Sequence, residues 1–116
     1  MWEVEFTDEF EQWWDALTGH QQDAVKDRVG LLAEYGPDLG RPVVDQIKTS
    51  RHQNMKELRA SAGGALRVLF AFDPRRQAIL LIGGNKDGAW QRWYLEAVPL
   101  ADDLYDQHLR EIASED

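Results

Sequence analysis

An α+β fold is predicted by three features of the chain. Two amphipathic helical patterns stand together near the start, apolar segments of strand length separated by turn residues fill the middle, and a helical row closes the sequence. Helix and strand patterns kept apart in this way, rather than alternating, indicate α+β. The expected architecture is a small antiparallel sheet of three to five strands, two N-terminal helices packed on one face, and a C-terminal helix. With 116 residues, one domain spanning 1–116 is expected, burying roughly 65% of its unfolded surface.

Each element has a local reason. Trp2, Glu3, Val4, Glu5 and Phe6 alternate apolar and acidic, the period of a half-buried strand. Thr7 or Asp8 can cap a first helix with Phe10, Trp14 and Leu17 on its apolar stripe. Thr18 with Gln21 matches a capping box that opens a second helix, whose core stripe is Val25, Val29 and Leu32. Gly36-Pro37 ends it, because Gly accepts the left-handed position after a helix and Pro cannot continue one. Residues 38–54 read as a connection with a short edge strand at 43–47. A meander follows: a strand at 55–60, a Gly63-Gly64 turn, a strand at 66–72, a type I turn at Asp73-Pro74, and a strand at 78–82. Pro99 suits the first turn of a closing helix at 99–113, with Leu100, Leu104, His108 and Ile112 in a row.

Composition narrows the function classes. There are no cysteines, which removes disulfides, thiolate catalysis and Cys-based zinc sites, and fits the reducing cytoplasm. No apolar run approaches the ~20 residues of a membrane helix, and the N-terminus lacks the features of a signal peptide, so a cytoplasmic protein without membrane contact is expected. Five Trp, four Phe and three Tyr supply a core of large side chains.

Charge is sorted along the chain. Residues 1–40 hold ten Asp/Glu against two Lys/Arg, residues 41–92 four against ten, and residues 93–116 seven against one, giving −8, +6 and −6. A basic stretch confined to one structural unit is the footprint expected for phosphate or nucleic-acid contact. The overall charge of −8 opposes indiscriminate nucleic-acid binding, so any such contact is local or supported by a larger partner.

Register sharpens this. If 61–65 is a turn, Arg59 faces Arg67 across the hairpin, with Leu58, Val68, Phe70 and Phe72 on the opposite, core face. Like charges directly opposed are unfavourable by roughly 0.2–1 kcal/mol, and an anion between them would relieve that. If Phe72 faces Gln77, Ile82 faces Arg67, and the 83–88 loop brings Lys86 to the same end. Glu57, two residues from Arg59 on the same face, offers the alternative of an ordinary ion pair with Arg59 or Arg67. His52 has no metal-ligand spacing around it, His20 and His108 read as structural, and Trp13, Trp14, Trp90 and Trp93 read as core or partner surface. No phosphate-binding glycine loop, metal site or cofactor is expected.

The stretches His52-Gln53-Asn54-Met55-Lys56-Glu57-Leu58-Arg59, Leu66-Arg67-Val68-Leu69-Phe70-Ala71-Phe72 and Ile79-Leu80-Leu81-Ile82-Gly83-Gly84-Asn85-Lys86-Asp87 resemble the RelE/ParE superfamily of toxins, specifically its HigB-like, phage-derived branch. The resemblance covers about residues 2–110. It implies a RelE-like fold and the toxin of a type II toxin–antitoxin system: an endoribonuclease that cleaves messenger RNA, often on the ribosome, held in check by a cognate antitoxin, a helix-turn-helix protein encoded adjacently. By position it assigns catalysis to Arg67, Lys86 and Tyr94 and matches Arg59 to the family's L-R motif; His52, of suitable ordinary pKa and just before the Lys56–Arg59 strand, is a further acid/base candidate, and Lys56, Arg59 and Arg92 are the candidate RNA phosphate contacts. The chemistry is metal-free attack of a ribose 2′-hydroxyl on the adjacent phosphate, with guanidinium and ammonium groups stabilising the added negative charge. The general base is open among Tyr94 and Lys86, whose ordinary pKa values lie near ~10, and His52. The alternative is a binding module of the same fold, such as a ParE-like gyrase inhibitor or a degenerate toxin that retains only antitoxin binding. A phage-derived interaction protein is a third class.

Overall fold

The computed structural model describes residues 1–86 and 88–115, with Lys86 described in its backbone only. The elements run β1 (Glu3–Phe6), α1 (Asp8–Asp15), α2 (Gly19–Tyr35), a 3-10 turn (Gly36–Asp38), β2 (Val44–Gln46), β3 (Lys56–Ser61), β4 (Ala65–Phe72), β5 (Gln77–Lys86) and α3 (Trp90–Ser114). One five-stranded sheet has the order β1-β5-β4-β3-β2. β2 to β5 form the expected antiparallel meander, and β1 joins β5 in parallel at the edge.

The helix starts follow the sequence. The Thr7 side chain accepts from the Phe10 N–H and donates to the Leu81 carbonyl, so one hydroxyl caps α1 and ties it to β5. Thr18 and Gln21 form both halves of the capping box of α2. Gly36 ends α2 at φ 57°, and a Cβ there would lie 2.2 Å from the Trp2 indole, so glycine is required on both counts.

Both faces of the sheet are covered. On one, Phe10 of α1 and Val25 and Leu32 of α2 pack on Leu58, Val68, Phe70 and Leu80. On the other, Ala97, Val98, Ala101 and Tyr105 of α3 pack on Leu69, Ala71, Ile79 and Leu81. Each large side chain buried here contributes roughly 1.5–3 kcal/mol. This two-sided burial explains why the central strands read as apolar runs rather than alternating ones.

Two boundaries differ from expectation. α3 starts at Trp90, nine residues before Pro99. The proline removes the N–H that would bond the Leu95 carbonyl; both residues are exposed at the helix surface, and the helix continues through them. β5 extends to Lys86, and Phe72 pairs with Ala78, one residue beyond Gln77. A bulge at Leu69/Phe70 adds a second residue, so Arg67 faces Gly84 and Ile82 faces Leu69. Two single shifts sum to two, which returns the strand to the same facing.

Candidate active site

β3 and β4 place Glu57, Arg59 and Arg67 on the α3 face, with Arg59 directly opposite Arg67 as the hairpin register requires. β2 adds Asp45, the cross-strand partner of Glu57. The first two turns of α3 lay Trp90 and Tyr94 over these side chains, their rings stacked at 5.6 Å and 13°.

Glu57 is the centre of the group. It is buried, at 4% exposure. Its Oε2 accepts from Arg59 Nε at 3.0 Å and from Arg59 Nη2 at 2.8 Å. Its Oε1 accepts from the Tyr94 hydroxyl. Arg59 Nη2 also reaches Asp45 Oδ2 at 3.1 Å, which in turn pairs with the exposed Arg41 at 3.1 Å. Hydrogen bonding to Glu57 holds the Arg59 guanidinium above its ordinary pKa. The Arg41 contact, then the Gln46 N–H, hold Asp45 below its own. The opposed arginines are therefore reconciled by carboxylates: Arg41, Arg59 and Arg67 against Asp45 and Glu57 leave 3 − 2 = +1.

Arg67 is bonded differently. It donates Nη1 to the Leu66 carbonyl at 2.9 Å and lays its guanidinium over the Trp90 ring at 5.5 Å. Its side chain is 13% exposed, and its nearest carboxylate contact is Nε to Glu57 Oε1 at 3.9 Å, beyond hydrogen-bonding distance. Buried Nε has no acceptor among the described residues. An unsatisfied buried donor on a cation is a rare and unfavourable arrangement. Beside it, Tyr94 is pushed up to about 12, first by burial and then by the hydrogen bond to Glu57 and its charge, with Arg67 acting in the opposite direction.

The remaining candidates divide. The Lys86 backbone pairs with Ala65, two residues beyond the Gly84 that faces Arg67, so its backbone is at the arginine end of the sheet; its side chain lies outside the described residues, as does Asp87. Arg92 is exposed on the first turn of α3, roughly 200° around the helix from Tyr94. Lys56 is not with the group. Strand alternation turns it to the α1/α2 face, where its Nζ lies over the Phe72 ring at 5.8 Å. His52 is also elsewhere: its Nε2 contacts Asp106 at 2.7 Å and its ring meets Tyr105 edge-on at 4.9 Å, roughly 16 Å further along α3 than Tyr94. The loop that carries it is clamped to the helix, with Ser50 Oγ and Arg51 N on Asp102. The sequence marks Trp90 only as core or partner surface, and it does not mark Asp45 or the contact between Glu57 and Tyr94. Strand alternation over 57, 59 and 67 signals the Glu57 position, but the rings arrive only because α3 begins at Trp90.

Among the described residues, no group of three or more His, Asp or Glu is arranged to hold a metal ion. No helix there is long and apolar enough to cross a membrane.

Comparison with known proteins agrees with this architecture. The phage-derived Gp49-like protein family matches residues 12–106. HigB3 of Mycobacterium tuberculosis, named as a candidate toxin, is 53% identical over 92 residues, covering 79% of this chain and 80% of that protein. HigB2 of the same organism, likewise named, is 46% identical over 99 residues; the match covers 84% of this chain but 49% of HigB2, so the chain spans about half of that relative. Among solved structures, isolated Escherichia coli RelE toxin superposes with a TM-score of 0.62 at 13% identity, covering 85% of this chain and 97% of RelE. The RelBE2 toxin–antitoxin complex of M. tuberculosis gives a TM-score of 0.55 at 17% identity, covering 73% of this chain and 98% of the matched chain. The chain belongs to the phage-derived Gp49-like family, is similar throughout most of its length to HigB3, and carries the RelE fold.

Proposed function

We propose that this protein is the toxin of a type II toxin–antitoxin pair and acts as an endoribonuclease on messenger RNA, on the ribosome, with an antitoxin as its protein partner. The observation that carries the reading is Arg67, a mostly buried guanidinium with an unsatisfied Nε beside the Tyr94 hydroxyl. In the proposed reaction the ribose 2′-hydroxyl gives its proton to solvent water and its oxygen attacks the adjacent phosphorus; the bond to the 5′-oxygen breaks, that oxygen leaves as a hydroxyl protonated by water, and a 2′,3′-cyclic phosphate remains. Arg67 faces the phosphate oxygens, where a fixed cation stabilises charge that grows in the transition state. Tyr94, with its pKa pushed up to about 12, enters as a neutral hydroxyl whose one proton is donated to Glu57, and not as the base. Arg59 has a different role from Arg67, because its Nε and Nη2 donors are committed to Glu57 and Asp45. It holds Glu57 in place and so sets the Tyr94 hydroxyl. Lys86 remains the proposed second cation, at the end of β5.

A second reading is favoured by the small residual charge of the group, +1 after two carboxylates are set against three arginines. It is a binding module of the same fold, either a gyrase inhibitor or a degenerate toxin. Induced expression of the wild type and of Arg67→Ala, with mapping of RNA 5′ ends, separates the two. New cleavage sites in messenger RNA that vanish in the variant support the nuclease. Supercoiling defects with intact transcripts overturn it in favour of the second reading.

A further inference from the structure

The face opposite the arginine site carries a groove of about 520 Å³ bounded by β1, α1, α2 and Leu80 of β5. Its floor and walls are apolar, formed by Phe6, Phe10, Trp14 and Val29, and Phe6 is 54% exposed although it lies in a strand. β1 is an edge of the sheet and pairs with β5 alone, so its outer side has no strand neighbour. An exposed edge beside an apolar recess is a template on which another chain can add a strand.

Charge selects the occupant. The rim carries Glu11 and Asp15, both exposed, and Lys26, whose Nζ is placed over the Trp14 ring at 5.8 Å. Glu3 and Glu5 project from the edge strand itself, and among the described residues none of these four carboxylates forms an ion pair. Part of the acidity has an internal use: Asp8, Glu9 and Glu11 complement the N-terminal dipole of α1. Asp15 has no such use, and both it and Glu11 stand exposed beside the groove. A nucleic acid or an anionic lipid surface is repelled here. A second copy of this chain would set Glu3 and Glu5 against their own counterparts, which is unfavourable for directly opposed strands.

We propose that this groove and the β1 edge bind a basic, strand-forming segment of a second protein, which adds its backbone to β1, places an apolar side chain among Phe6, Phe10 and Trp14, and pairs its Lys or Arg residues with Glu11 and Asp15. The proposal goes beyond the nuclease reading and does not depend on it. The groove residues lie on the opposite face of the sheet from Glu57, Arg67 and Tyr94, so an occupant leaves that group uncovered.

The test uses the intact chain and a peptide of about eight residues that alternates Lys with Ile, compared with the same peptide carrying Glu in place of Lys. Amide and indole NMR shifts locate binding, and hydrogen exchange reports the β1 amides. Expected are saturable shifts at Val4, Phe6 and Trp14 with the Lys peptide only, slower exchange along β1, and at least about tenfold weaker binding to Glu11→Lys/Asp15→Lys. A thermal melt of that variant shows that it is folded. Equal binding of both peptides, shifts centred on Arg67 and Tyr94, or no shift up to about 1 mM peptide overturns the proposal, as does concentration-dependent dimerisation through β1 in light scattering. Cleavage of messenger RNA on added ribosomes is measured with the same protein preparations. Loss of cleavage activity with peptide binding intact sinks the nuclease reading alone, and the reverse sinks the groove alone.

Discussion

Replacing Glu57 with Gln preserves shape and removes one charge, so its effect can be worked from the geometry. In the wild type a buried carboxylate satisfies Arg59 through two contacts and the Tyr94 hydroxyl through a third. Breaking a buried ion pair by removing one partner costs about 3–5 kcal/mol. Here the loss is smaller, for two reasons. Arg59 keeps Asp45 at 3.1 Å and its side chain is one-third exposed, and the Gln carbonyl can still accept one hydrogen bond. A loss of about 2 kcal/mol is expected, a fall in melting temperature of about 6–12 °C for a chain of this size. The second readout is Tyr94. Its pKa is raised above the ordinary 10.0 to about 12, so its stabilising contribution is complete below pH 10.0 and is lost as pH rises from there to about 12. In Glu57→Gln the burial that leads the shift remains and the charge does not, so Tyr94 should ionise at lower pH than in the wild type while staying above 10.0. Tyrosinate absorbance, referenced to Tyr94→Phe, measures this directly. An unchanged melting temperature together with an unchanged Tyr94 titration would refute Glu57 as the hub.

Arg67→Ala should abolish RNA cleavage, by at least about 100-fold, with a melting temperature close to the wild type because it also deletes the unsatisfied Nε; Arg59→Ala should do the reverse, losing about 2–3 kcal/mol in urea unfolding as Glu57 is left underbonded while cleavage falls about tenfold or less. His52→Ala should leave cleavage within about twofold and lower stability by about 1 kcal/mol, since its contacts are with Asp106 and Tyr105; a large loss of cleavage would return it to the site. Gly84→Ala would place a Cβ 2.2 Å from the Trp93 indole, and a loss of about 1–3 kcal/mol is expected from overpacking, read by thermal melts with near-UV dichroism of the indoles.

What the sequence made legible was local. The capping hydroxyls of Thr7 and Thr18, the stop at Gly36-Pro37 and the Arg59–Arg67 register follow from interactions within a few residues or across one tight turn. The parallel pairing of β1 with β5 joins segments more than seventy residues apart, and no pattern in either segment specifies the other. The start of α3 was hidden by Pro99, which usually opens a helix but here is tolerated inside one. That single boundary controls the site: placed on a strand or loop, Tyr94 has no reason to meet Glu57, whereas on the second turn of a helix it lies over the arginine hairpin. The possible pairing of Glu57 with either arginine was visible; that it holds Arg59 tightly and Arg67 only at 3.9 Å required coordinates. His52 and Lys56 show the opposite failure, since nearness in sequence to Glu57 says nothing of which face or which end of a helix a side chain reaches.

At Gly83 and Gly84 the sheet is only as thick as its backbone: Trp13 fills the missing side-chain volume from one side and Trp93 from the other. Trp13 touches Phe10, which stacks on Trp14, while Trp93 abuts Tyr94. The ring systems of the two faces are thus separated by a bare dipeptide, and neither can be displaced without withdrawing the support of the strand between them. The aromatic clusters of the two faces therefore back onto one another through a single layer of main chain.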